Sequence, residues 1–439
     1  MSRVRTAVIG FGALIAGVLG VVVFYGPSWW AERLARPVDA LEPQGPAVVT
    51  APPLKSAMEI QAYLAALAVD AKVKGVSEAT LARATAGIIL DDDIAGLNAS
   101  QPEHVRTAGE YVNLLVSETR IANGRAKLAE HADLMEAIER RYGVDRHIVM
   151  AIWGIESAYG ISMGERHVVR SLLTLAMTDE RRGAFWRGEL LAALQILERG
   201  DIGPEAMTGS WAGAMGHTQF MPSTYLAHAV DFDGDGRRNI WQQPADALAS
   251  AANYLKVSGW QAGQPAMIEV SLPPGFDYAL SAPGVSRSLA DWQALGVRRV
   301  GDTVLPDRMS ALSLVLPAGY SGPAVLTGAN FQAILRYNRA VSYALSVALL
   351  AEQLAGRPGL AAPWPADDKA LSRGEREELQ KLLTGLGHEI GPVDGIIGSA
   401  TRGAIRLFQK AQSVPEDGHP SLALLVRLRD ASERARATK

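Results

Sequence analysis

The chain has no cysteine among its 439 residues. Disulfides, thiol nucleophiles, cysteine-ligated zinc and a lipidated N-terminal cysteine are excluded together. It also lacks an excess of charge: 43 Lys and Arg stand against 46 Asp and Glu, a net of −3, so no basic surface marks nucleic acid as a partner. No internal repeat is visible. What is present is ordinary folded composition, with 48% hydrophobic and 20% charged residues. At about 150 residues per domain, the length implies two or three domains with ample core.

The one long uncharged run lies at the N-terminus. Arg3 and Arg5 precede a stretch from Thr6 to Trp30, almost wholly apolar between Ala7 and Tyr25. That exceeds the ~7–15-residue core of a cleavable signal and suffices to span a bilayer. Tyr25, Trp29 and Trp30 fit the far interface, and the arginines hold the N-terminus inside. Residues 1–30 are therefore expected to be an uncleaved anchor, with a cleaved signal as the alternative and a buried core helix further behind. The rest of the chain then lies outside the cytoplasmic membrane.

Residues 31–54 carry Pro37, Pro43, Pro46, Pro52 and Pro53 and read as an extended linker. Helical periodicity dominates from Lys55 to about Leu255, clearest in Ala57 to Val69, Pro102 to Leu128 and Leu128 to Tyr142. Met267 to Leu272, Ala311 to Leu316 and Ala324 to Leu326 look like short strands, with a helix at Ser288 to Leu295. Helix returns at Phe331 to Leu354, and Pro and Gly recur in a second linker at 356–372. The expected fold is mainly α (α+β): a helical domain over 55–355 with a small β insertion, a three-helix module over 373–430, and a tail at 431–439.

Two segments carry chemistry. In Ala151-Ile-Trp-Gly-Ile-Glu-Ser-Ala-Tyr-Gly160, Asp145 is the expected N-cap and Gly160 the expected helix stop. Glu156 follows Ile148, Val149, Ile152 and Ile155 at helical spacing, on an apolar face with Trp153 close by. A carboxyl group desolvated this way resists ionisation, which suits a general acid near neutral pH. A partly exposed glutamate at a helix end is the plain alternative. The second segment, Gly209-Ser-Trp-Ala-Gly-Ala-Met-Gly-His-Thr-Gln-Phe-Met-Pro222, lets backbone approach a ligand, and Gln219 could offer its amide to a sugar. A tight loop packed on a core remains the alternative.

Together these segments and the acidic loop after them resemble the B-type lytic murein transglycosylases over roughly residues 55 to 355. The resemblance implies a lysozyme-like fold and cleavage of the β-1,4 bond between N-acetylmuramic acid and N-acetylglucosamine in peptidoglycan glycan strands. The product end is a 1,6-anhydromuramic acid, the location the periplasm, and the single acid–base Glu156, with no cofactor for catalysis. The residues fit one acid, since an ordinary glycosidase needs a second carboxylate ~5–9 Å away. The nearest acid in sequence is Glu165, beyond Gly160 and Gly164. A hydrolytic muramidase and a non-catalytic wall-binding scaffold remain open. The resemblance also implies substrate contacts from Tyr111, Arg181, Arg182, Ser210, Gln219, Tyr254, Tyr337 and Tyr343. The arginines suit lactyl or peptide carboxylates. His217 stands where the family leads one to expect an aromatic such as tyrosine.

Asp231-Phe-Asp233-Gly-Asp235-Gly236 has the first half of an EF-hand loop, but position 12 is Gln242. A structural Ca2+ or Na+ is expected, with a solvated Asx turn as the alternative. By family likeness Asp246 and the Arg237 carbonyl complete the ligands. The C-terminal block runs through Leu379-Gln380, Asp394-Gly395, Thr401, Phe408-Gln409 and Asp417-Gly418. It resembles the type 1 peptidoglycan-binding domain, with Asp394-Gly395 making a turn and Phe408 and Leu407 packing the core.

Overall fold

A computed structural model describes residues 55–99, 106–301, 309 and 311–437. The expected anchor over 1–30 and the linker over 31–54 lie outside the described residues. Among those described, no helix is long and apolar enough to cross a membrane. The fold is mainly helical, as the periodicity requires, and the described chain forms two compact units: 55–99 with 122–257, and 106–121 with 258–437.

The first unit is built around helix Arg146–Ser157. Asp145 caps it by accepting from His147 N–H at 2.7 Å, and every residue from Ile148 to Ser157 is buried. A helix apolar on all sides must sit inside others. Ala132–Tyr142 and Pro244–Val257 pack on it, while Val168–Thr178 and Gly183–Arg199 form a second packed pair. The helical stretch read over Pro102 to Leu128 holds two helices, Ala108–Leu115 and Glu118–Glu130, and the stretch from Leu128 to Tyr142 holds Ala132–Tyr142.

The second unit holds a four-stranded antiparallel sheet in the order Arg298–Arg299, Met267–Ser271, Ala324–Thr327, Ser313–Val315. Alternation in Met267–Ser271 turns Ile268 and Val270 onto a core with Trp292, Leu314 and Leu326. The Trp292 indole N–H donates to Leu312 O at 3.0 Å, so this bulky ring is buried without an orphan donor. The helix expected over Phe331 to Leu354 is two, Ala329–Tyr337 and Val341–Leu354.

The C-terminal module has helices Arg373–Gly385, Ser399–Ala411 and Leu422–Ala437 around Leu379, Leu383, Ile405, Phe408, Leu425 and Leu428. Gln380, 1% exposed, holds the Asp394-Gly395 turn: its Oε1 accepts both backbone N–H groups and its Nε2 donates to Asp394 Oδ1 and Ile396 O. Phe408 packs in the core as expected, but Leu407 is 60% exposed, because adjacent helical positions lie on different faces.

Candidate active site

Glu156 lies in the last turn of its helix and is 1% exposed. The chain then leaves the helix abruptly. Ala158 (φ 50°) and Tyr159 (φ 61°) are already left-handed before Gly160, so Gly160 is not the residue that stops the helix. L-residues pay on the order of 1 kcal/mol each for that conformation. What holds them is packing: the Tyr159 ring meets Trp153 edge-on at 5.8 Å and lies over Gly154, where an added Cβ would sit 2.5 Å from it.

The glycine-rich segment is pinned beside this helix. Thr208–Gly209 pairs with Arg166–His167, and Met215 bridges both Gly209 and Phe220. A Cβ at Gly216 would sit 2.3 Å from Ile240 O, so this glycine makes room for the protein's own backbone rather than for a ligand. Ser210 is buried and its Oγ accepts from Ala214 N–H at 3.0 Å, closing the loop. Gln219 is left-handed (φ 51°) and 4% exposed, with Nε2 donating to Met163 O and Gly216 O. Two carbonyls can face only the amide nitrogen, so the Gln219 N–H groups are committed and Oε1 is what remains.

In sequence His217 is only a departure from the family pattern, yet it sits at the centre of these contacts. Its Nδ1 accepts from Trp153 Nε1 at 3.1 Å, and its carbonyl accepts from Ser157 Oγ at 2.6 Å. Burial, then the charges of His131 and Lys127, hold its pKa down to about 4.

Arg181 and Arg182 donate backbone N–H groups to Asp179 Oδ1, and the Arg182 guanidinium lies over the Phe185 and Trp186 rings at 4.6 and 4.5 Å. Tyr254 packs against Phe220 and His228. The other buried carboxylates of this unit, among the described residues, are engaged elsewhere: Asp179 with Trp186, Glu189 with Ser223, Asp201 with Arg238 and Asp246 with the acidic loop. Glu165 is exposed. Tyr111, Tyr337 and Tyr343 belong to the second unit. There Tyr343 is fully buried and stacks on Tyr337 at 6.5 Å, which makes it a support for that ring rather than a surface.

In the acidic loop one oxygen each of Asp231, Asp233 and Asp246 lies within 4.8 Å of the others. Asp246 is 1% exposed and accepts from Phe232 and Asn239 N–H groups. Burial raises its pKa, and those bonds oppose the rise. Asp235 falls outside the cluster and accepts from Arg237 N–H at 2.8 Å. Three oxygens this close suit a hard cation.

The class is a mainly helical domain with the buried Glu156 on a helix bonded to a glycine-rich loop. The transglycosylase SLT domain model matches residues 59–352, and a peptidoglycan binding domain model matches 372–428. The chain is 33% identical over 251 residues to membrane-bound lytic murein transglycosylase B of Escherichia coli (strain K12), a match spanning 56% of this chain and 66% of that relative. Solved structures are similar as well. SltB3 of Pseudomonas aeruginosa, in complex with NAG-anhNAM-pentapeptide, is 48% identical with TM-score 0.81, covering 84% of this chain and 99% of that one. Escherichia coli lytic transglycosylase Slt35, in complex with calcium, is 29% identical with TM-score 0.56, covering 67% and 92%. The chain belongs to the B-type lytic transglycosylases and carries a C-terminal peptidoglycan-binding domain.

Proposed function

We propose that this peptidoglycan-cleaving enzyme works through Glu156 alone and leaves 1,6-anhydromuramic ends. Glu156 gives its proton to the glycosidic oxygen as the bond from muramyl C1 breaks. The C6 hydroxyl of the same sugar closes on C1, and its proton passes to the Glu156 carboxylate. Atoms balance without water, and the enzyme ends protonated as it began. The carrying observation is the near-complete burial of Glu156 on a helix bonded to the glycine-rich loop, while Glu165, the nearest acid in sequence, is exposed.

Arg181, Arg182, Ser210, Gln219, Tyr254, Tyr111 and Tyr337 are the side chains proposed to hold substrate, Gln219 through its Oε1, with Tyr343 behind Tyr337. Asp231, Asp233 and Asp246, with the Arg237 carbonyl, would hold a structural Ca2+ or Na+, and Asp235 would brace the loop through the Arg237 N–H or turn to the ion. The N-terminal apolar run would anchor the enzyme in the inner membrane, facing periplasmic peptidoglycan. Glu156→Gln keeps the shape but cannot donate the proton, so turnover of purified peptidoglycan should fall at least ~10²-fold. Turnover near normal in a folded variant would move the catalytic role elsewhere.

A further inference from the structure

We propose that His217 is a positioning residue for Glu156, clamping the catalytic helix on both sides of the acid. Resting on the Glu156 reading above, it adds a residue that the family pattern does not supply. Trp153 lies one turn before Glu156 and Ser157 directly after it. The His217 ring holds the first at 3.1 Å and the His217 carbonyl holds the second at 2.6 Å. His217 is itself fixed, its N–H donating to Ile240 O at 2.9 Å. Gly160 completes the fit: a Cβ there would lie 2.6 Å from the imidazole, and its N–H donates to Ser157 Oγ.

The chemistry of the ring carries the inference. An indole nitrogen can only donate, so His217 Nδ1 must be the acceptor and the proton must sit on Nε2. Nε2 is buried with no hydrogen-bond partner among the described residues. A phenyl ring in this place could not accept the indole N–H, so the histidine supplies an acceptor that an aromatic hydrocarbon lacks. Protonation abolishes the acceptor, because both nitrogens of an imidazolium donate. The groups facing His217 set when this happens. His131, whose ring lies 5.6 Å from Trp153, and Lys127 both disfavour a further positive charge. Glu130 pairs with each of those two. The Trp153 side of the clamp therefore holds through neutral pH and opens in acid, while the Ser157 side, made by the His217 carbonyl, does not titrate.

The test uses the full chain on purified peptidoglycan. His217→Phe, which keeps an aromatic ring but offers no acceptor, should lower kcat about tenfold with KM nearly unchanged. His217→Asn presents an oxygen near the Nδ1 position and does not titrate. It should restore most of kcat at pH 7 and flatten the fall in kcat between pH 6 and pH 4. Equal kcat and equal acid limbs for wild type and folded His217→Phe would overturn the proposal, as would failure of folded His217→Asn to restore kcat. Failure of the Glu156 reading shows separately, as activity retained by Glu156→Gln.

Discussion

Asp417 of the C-terminal module accepts the Tyr320 N–H at 2.8 Å, and its other oxygen accepts from Gln409 Nε2 and His419 N–H. Gly319 is left-handed (φ 71°), and a Cβ there would press within 2.7 Å of Asp417. His419 in turn meets Asp368 at 2.9 Å, while Ala361 and Ala362 N–H groups donate to Glu269. The segment 356–372, read in sequence as a linker, is bonded at several points. Asp417→Ala strands three donors and should cost about 1–3 kcal/mol. Limited proteolysis should then cut within 356–372 faster than in wild type, and an unchanged cutting rate would contradict the docking.

Glu189 supplies a pH test. Burial raises its pKa, against the Ser223 hydrogen bonds that lower it. A carboxyl group raised on folding binds its proton more tightly in the folded state. Its contribution to stability is therefore present at acid pH and is lost as pH rises through its folded pKa. Glu189→Gln keeps the shape and never ionises. Its melting temperature should gain on that of wild type between pH 4.5 and pH 8, and a gap that does not move with pH would contradict the assignment.

The acidic loop predicts a melting temperature that depends on cations. An ion binding only the folded state at a hundred times its Kd adds about 2.7 kcal/mol. Calcium or sodium should therefore raise the melting temperature of wild type. Asp231→Asn with Asp233→Asn keeps acceptors for the loop N–H groups but removes two charges, and should abolish the shift. An unchanged wild-type melting temperature across millimolar calcium and sodium would mean a solvated turn.

The parts legible in sequence were those fixed by local periodicity and local caps. Asp145 capping its helix, the alternation of Met267–Ser271 and the Asp394-Gly395 turn all lie within a few residues of their cause. What was missed depends on partners far along the chain. Ala158 and Tyr159 are left-handed because the Tyr159 ring finds Gly154 beneath it. Gln219 looks like a free amide until Met163 O, 56 residues away, takes its N–H. Tyr343 and Tyr337 read as equals in sequence, yet only Tyr343 is fully buried. Asp235 fits the EF-hand spacing, and here one of its oxygens accepts the Arg237 N–H while it stands outside the Asp231, Asp233 and Asp246 cluster.

The central claim is that one carboxylate does the chemistry without water. Mass analysis of muropeptides released from purified sacculi by the purified enzyme tests it most directly. Every new muramyl end should be 1,6-anhydromuramic acid, one water lighter than a reducing end, and Glu156→Gln should release almost none. Reducing muramic acid ends as the main product would contradict the account and make the enzyme a hydrolase.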